Sequence, residues 1–340
     1  MRKLASIQRV NAVEPIEGAD AIERIRVLGW YVVTKKGDFQ VGDPCVYVEI
    51  DALMPDRPEF EFLRARSNMR IKTAKLRGQV SQGIAFPLSI LPSDASSGYG
   101  DWREGDDVTE VMGIVKYEPP IPTCLAGKVK GAFPGFVPKT DETRVQTCEG
   151  VLARHAGRLC YFTEKVDGSS ATLYLRGGEF GVCSRTLDLA EDYGNSFWQV
   201  AQRDGIAEKL RQYAAESGQE LTLQGELVGP GIQGNKLKLP AHKILFFNAY
   251  DNGASRYLDH ADFLGVMEDL GLESVPLLGA LVLEHTIDQL VELATRKSAI
   301  NPAVEAEGIV VRPVVEEQDP ELGRLSFKAI NPRFLLKFDE

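Results

Sequence analysis

The stretch that most limits the fold is YEPPIPTCLAGKVKGAFPGFVP, residues 117–138. Proline lacks the amide hydrogen that helices and central strands need, and glycine at this density leaves the backbone unconstrained. The stretch therefore reads as irregular, and a chain of 340 residues interrupted there suits two domains. The hydrophobic pattern differs on its two sides. Before it, RIRVLGWYVVTKKG, VGDPCVYVEI and GQVSQGIAFPL are short runs rich in Val, Ile, Tyr and Trp, broken by Gly, Pro and Asp, the pattern of short strands. SDASSGYGDW (93–102) reads as a loop. After it, CYFTEKVDGSSATLYLRGGEFGVCSR reads as two strands around a polar turn, and NSFWQVAQRDGIAEKLRQYAAESG has helical periodicity and stops at a Gly. ELTLQGELVG, HKILFFNAYD, EGIVVRP and GRLSFKAINP read as strands, DHADFLGVMEDLG and TIDQLVELATRK as helices.

The expected organisation is thus residues 1–116, a linker over 117–137, and a second domain over 138–340. Five or so short strands in about 110 residues suit a small closed barrel such as an OB-fold, with an SH3-like barrel as the alternative. The second domain reads as α+β with antiparallel sheets.

Composition excludes several classes. No window approaches the roughly 18 apolar residues of a membrane span, and the basic N-terminus has no apolar segment behind it, so no leader is expected. The five cysteines are widely spaced and match no zinc pattern; reduced thiols in a cytoplasmic protein are expected. A net charge of −10 argues against a general nucleic-acid coat protein. Two local basic groups run against that balance: Arg64, Arg66, Arg70, Lys72, Lys75 and Arg77, with no acid among them, and Lys128, Lys130 and Lys139. They are either solvated faces or a groove for a phosphate backbone.

The chemistry-bearing residues form an ordered set. Lys165 lies in EKVDGSS, Ser184-Arg185 follow, Glu226 sits in LQGELVG, FFNAYD spans 246–251, Glu307 opens EGIVVR and Lys328 sits in SFKAIN. Each piece alone is weak. In this order they resemble the motifs of the covalent nucleotidyltransferase superfamily of ligases and capping enzymes, over roughly residues 138–335. The resemblance is closest to RNA ligases with an N-terminal OB domain, for which EKVDGSS and the upstream TDETRVQ, with Arg144, are typical. Only PRFLLKFDE follows the last motif, which counts against a DNA ligase or a GTP-dependent capping guanylyltransferase, both of which usually carry the OB domain there. A non-catalytic RNA-binding protein with a decayed ligase core is the third alternative. The resemblance implies an OB-like barrel followed by an adenylyltransferase domain (ATP-grasp-like).

It also implies roles. Lys165 would carry AMP from ATP, a step that needs its amine deprotonated by nearby cations, desolvation or a divalent metal. Glu226, on one face of a strand with Thr222 and Gln224, would bind the ribose. Phe247, or its neighbour Phe246, would stack on adenine, with Glu164 near the adenine edge. Asp167, Asp251 and Glu307 would hold Mg²⁺ or Mn²⁺. Arg144, Arg185 and Lys328 would contact phosphates. The superfamily usually has two lysines in the last motif where FKAIN has one, so Lys236, Lys238 or the N-terminal domain is expected to supply the second cation. The implied function is sealing of 3′-OH/5′-phosphate breaks, as nicks in RNA or RNA-containing duplexes, by a monomer that grips nucleic acid with its N-terminal domain and ligase face. GPGIQG (229–234) matches G-x-G-x-x-G but lacks a βαβ setting, so a dinucleotide site is not expected.

Overall fold

The computed structural model describes residues 3–91, 102–117 and 129–338. They form two compact units, one of residues up to 117 together with 332–338, the other of residues 129–331. Among the described residues no helix is long and apolar enough to cross a membrane. Cys45, Cys148, Cys160 and Cys183 are buried free thiols. Cys124 and Lys128 lie outside the described residues, as does all but Trp102 of the 93–102 stretch.

The first unit is a curled antiparallel sheet in the order Trp30–Lys35, Ile22–Val27, Ala5–Pro15, Pro44–Val48, Ile84–Pro87. The long first strand serves both halves. Residues 10–15 pair with Ile22–Val27 and residues 5–9 with Pro44–Val48, with a bulge at Val10/Ala12 that turns the strand between them. Gln82 donates its amide to the Tyr31 carbonyl at 2.9 Å and Val33 to Ser81 Oγ at 3.0 Å, so the approach to the last strand meets the opposite edge and the barrel closes. Trp30, Tyr47, Ile25 and Val32 fill it. This is the OB-like barrel expected from the strand spacing. The basic stretch behaves as two populations. Arg64 is paired with Asp56 and Glu61, and Arg70 with Asp51, whereas Arg66, Lys75 and Arg77 are exposed. The helix Pro332–Phe338 belongs to this unit although it follows the last motif in sequence; Phe334 and Leu335 are its buried residues.

The second unit has two main sheets. The seven-stranded one runs Val129–Ala132, Leu187–Leu189, Glu179–Cys183, Ser169–Arg176, Leu221–Val228, Lys243–Asp251, Arg256–Tyr257. The five-stranded one runs Thr143–Arg144, Phe327–Ile330, Gly308–Pro313, Leu159–Lys165, Leu277–Val282. Each sheet has one apolar face covered by helices. On the larger sheet Ala171, Leu173, Leu223 and Phe246 pack under the helices Ser196–Arg203, Ile206–Ser217 and His260–Leu270. On the smaller, Cys160, Phe162, Ile309, Val311, Phe327 and Ala329 pack under Ile287–Ala294. Side chains alternate along a strand, so the intervening residues share the other face. They include the polar ones: Thr222, Gln224 and Glu226 on one sheet, Lys165, Arg312 and Lys328 on the other. Contacts cross between the sheets on these faces. The Arg312 guanidinium lies 5.6 Å from the Phe247 ring centre, and Arg324 Nη1, just before Phe327–Ile330, donates to Asn248 Oδ1 at 3.0 Å.

Four expectations are corrected by the structure. The segment 160–185 holds three strands, not two, and its first turn carries the chain from one sheet to the other. The helix expected over 195–218 is two helices, because Gly205 takes a left-handed conformation (φ +61°) between them. The sheets are not wholly antiparallel, since Thr143–Arg144 runs parallel to Phe327–Ile330. Part of the stretch read as linker, Val129–Ala132, is an edge strand, where Gly131 falls at a register shift.

Candidate active site

Lys165 is the last residue of the Leu159–Lys165 strand, opposite Gly308. Its surroundings depend on two glycines with no room for a side chain. A Cβ on Gly168 would lie 2.4 Å from the Leu227 carbonyl oxygen, and one on Gly308 would lie 2.2 Å from that of Ala329. Gly168 lets the Val166–Gly168 turn press onto the Glu226 strand. Gly308 lets Glu307 stand beside Lys165 while its own strand stays paired.

Lys165 Nζ donates to Glu307 Oε1 at 2.5 Å, with the lysine side chain 23 % and the glutamate 12 % exposed. Burial pushes the Lys165 ammonium down, but Glu307, Glu226 and Asp167 together outweigh it and hold its pKa above the ordinary lysine value. The low lysine pKa expected of a nucleophile is therefore not present in the protein alone. Glu226 shows the other side of this balance. Burial raises its carboxyl to about 8, Lys165 opposes, and Glu307, Asp167 and Glu142 add to the rise. Glu307 Oε2 is buried without a hydrogen-bond partner. A buried lone carboxylate oxygen in a surplus of negative charge fits a divalent cation. Among the described residues no three His, Cys, Asp or Glu groups converge on one point. The fit is therefore to a largely hydrated ion held by one or two carboxylates.

Asp167 is close enough to Lys165 to raise its pKa and pairs with Lys236 Nζ at 3.2 Å. Lys236 thus reaches the site, whereas Lys238 is exposed. Asp251 does not reach it. It pairs with Leu221, five residues along the strand from Glu226 and so about 16 Å away, and its Oδ1 accepts from the Gly253 and Ala254 amides at 2.8 and 2.9 Å. Asp251 closes a turn. Glu164 is also turned aside. Its partner Ile309 lies in the core, and its carboxylate accepts from Ser298 Oγ at 2.5 Å and the Ala299 amide at 2.6 Å, which fixes that loop.

The parallel pairing of Thr143–Arg144 sets Arg144 beside Lys328. Burial, then Lys165, then Arg144 bring the Lys328 pKa down to about 7. Lys328 Nζ lies 3.9 Å from Asp141, which also holds Arg185 at 3.4 Å. Lys328, Arg144 and Arg185 thus gather around the Asp141–Arg144 segment. Phe247 and Phe246 are separated by a bulge: Gln224 pairs with Asn248 and Gly225 with Phe246, leaving Phe247 as the extra residue. Phe246 is buried in the core, and Phe247 is aimed toward Arg312 on the polar face of the other sheet.

Glu142 and Arg312 were not singled out from the sequence. Arg312 is 2 % exposed and donates to Glu142 at 2.7 Å and to Ser326 Oγ at 3.1 Å. Burial pushes the Glu142 carboxyl up, but Arg312, Lys328 and Arg324 bring it down to about 2. The signal available is an arginine inside the apolar run GIVVRP, whose burial demands an acid partner.

An OB-fold domain model matches residues 4–88 and an RNA ligase model residues 158–330. No curated protein sequence matches. Among solved structures the chain is similar to Naegleria gruberi RNA ligase. A mutant of it with AMP and Mn is 37 % identical, with a TM-score of 0.88 and 99 % of each chain covered. The form with PPi gives the same values. A mutant with ATP and Mn is 37 % identical with a TM-score of 0.88, covering 98 % of this chain and 99 % of that one. The motif order, the two-unit fold and these matches agree, and the chain belongs to the RNA ligase family.

Proposed function

We propose that this protein is an ATP-dependent RNA ligase that seals 3′-OH/5′-phosphate breaks, as nicks in RNA-containing duplexes, through AMP carried on Lys165. The observation that carries the reading is the Lys165 ammonium held at 2.5 Å by Glu307 among further acids, with Lys328 and Arg144 grouped nearby. An amine that gives up its proton there becomes a nucleophile for the α-phosphorus of ATP. Attack forms a P–N bond and expels pyrophosphate. A 5′-phosphate then takes AMP from Lys165, and a 3′-hydroxyl displaces AMP from the resulting AppN end. Each displacement depends on alignment and on cations meeting the charge that develops on phosphate oxygens.

In this reading Lys328, Arg144 and Arg185 receive phosphates, Glu226 the ribose hydroxyls and Phe247 the purine face. Glu307 and Asp167 would hold Mg²⁺ or Mn²⁺, whose charge would lower the amine's pKa and neutralise phosphate. Glu164 acts from behind, through the Ser298–Ala299 loop. Residues 1–116 are the nucleic-acid-binding barrel, with the exposed Arg66, Lys75 and Arg77 on the phosphate backbone, and 138–331 the catalytic part of a cytoplasmic monomer, since the helix Pro332–Phe338 belongs to the first unit and not, as expected, to the second. Incubation with labelled ATP and Mn²⁺ is expected to leave AMP on the protein, and Lys165→Ala to abolish it; a label that persists in the variant rejects the proposal.

A further inference from the structure

The strand Gly308–Pro313 alternates between apolar core and polar face, so an arginine on the polar face needs a reason to be as deeply buried as Arg312. Its guanidinium donates to Glu142 and Ser326, interacts with Tyr161 on the neighbouring strand, and lies against the ring of Phe247. Phe247 is itself the extra residue of a bulge, and bulges re-aim side chains at the cost of local pairing. The ring packs beside Val166, Val228 and Leu237 and stays partly exposed, while Arg312 does not. The cation therefore backs the ring from its buried side and leaves the exposed part free. Its 5.6 Å separation from the ring centre is within cation–π range. Glu142, which holds Arg312, also belongs to the field around Lys328.

We infer that Arg312, fixed by Glu142, is a positioning residue for the nucleotide: it holds Phe247 from its buried side so that the exposed part of the ring receives the purine. This rests on the reading of Phe247 as the purine platform. Arg312 touches no substrate; it acts through the ring. A residue acting only through Phe247 loses its effect when Phe247 no longer offers an aromatic face, whereas a residue that merely supports the fold does not.

The test is a double-mutant cycle read as ATP-dependent labelling of the protein over a range of ATP concentrations, with Arg312→Met, Phe247→Leu and the two combined. Arg312→Met is expected to raise the ATP concentration for half-maximal labelling about fivefold, with little change at saturation. Phe247→Leu is expected to raise it about tenfold or more, and the double variant to match Phe247→Leu alone. Arg312→Lys, which keeps a cation beside Glu142, is expected to stay near the wild type. Because Arg312→Met leaves Glu142 buried and unpaired, the cycle is repeated with Arg312→Met combined with Glu142→Gln in place of Arg312→Met alone, which removes both charges of the pair. Effects that multiply in the double variant, or a lowered saturating rate with unchanged half-saturation, overturn the inference. Absence of label in the wild type would instead refute the ligase reading, so the two failures are distinguishable.

Discussion

Lys165 and Lys328 stand two strands apart in one sheet, about 10 Å across, and are shifted in opposite directions. Both are desolvated. Lys165 faces Glu307, Glu226 and Asp167 and is held above the ordinary lysine value; Lys328 faces Lys165 and Arg144 and falls to about 7. Burial alone, then, does not make a nucleophile. The lysine proposed to carry the nucleotide is the one more firmly protonated in the protein alone, so in that proposal neutralising its acids has to accompany the reaction.

The contrast between the two lysines is challenged most strongly by removing the second. Lys328→Met is expected to slow labelling of the protein by about 10²–10³-fold, the usual loss for one cation or donor aimed at developing charge. A rate within a few-fold of wild type would leave Lys328 outside the phosphate site. Next comes the acid side. In the metal-free protein Glu226 keeps its proton to about pH 8, while the unfolded chain loses it near the ordinary carboxylate value of 4.5. The folded state therefore binds more protons across that window, and its stability falls as pH rises through it. Glu226→Gln should flatten that fall by about 3 kcal/mol, measured by urea unfolding from pH 5 to 8. An unchanged slope would show that the carboxyl is ordinary.

Gly168→Ala probes the geometry that brings the acids to Lys165. The added methyl would meet the Leu227 carbonyl, and a cost of about 1–3 kcal/mol is expected in unfolding, with reduced labelling. The mirror-image effect concerns Lys328 itself. Folded, it loses its proton near pH 7; unfolded, near 10.5. The unfolded chain binds more protons between these values, so this lysine makes stability rise with pH, opposite in sign to Glu226. Lys328→Met should remove a rise of about 3 kcal/mol between pH 7 and 10, read by the same urea unfolding.

Much of this was legible in the sequence because the decisive residues are local to their strands. Lys165, Glu307 and Lys328 each sit in a short run whose period assigns its face, and the order of the runs carries the family resemblance. What was not legible depends on pairing between distant segments. FFNAYD does not say which phenylalanine leaves the core; the bulge against Gln224 and Gly225 decides it. Asp251 shares that strand but stands at its far end, where it closes a turn. Glu142 and Arg312 lie 170 residues apart and meet only once the five-stranded sheet is assembled. Arg144 is named by its motif, but its place beside Lys328 comes from a parallel strand of two residues, too short to be read from a pattern.

Locating the nucleotide on the chain decides between the two lysines. After incubation with ATP and Mn²⁺, peptide mapping by tandem mass spectrometry under conditions that preserve a P–N bond should find AMP on Lys165 and on no other lysine. AMP on Lys328, or on neither, would refute the assignment of Lys165 as the nucleotide carrier.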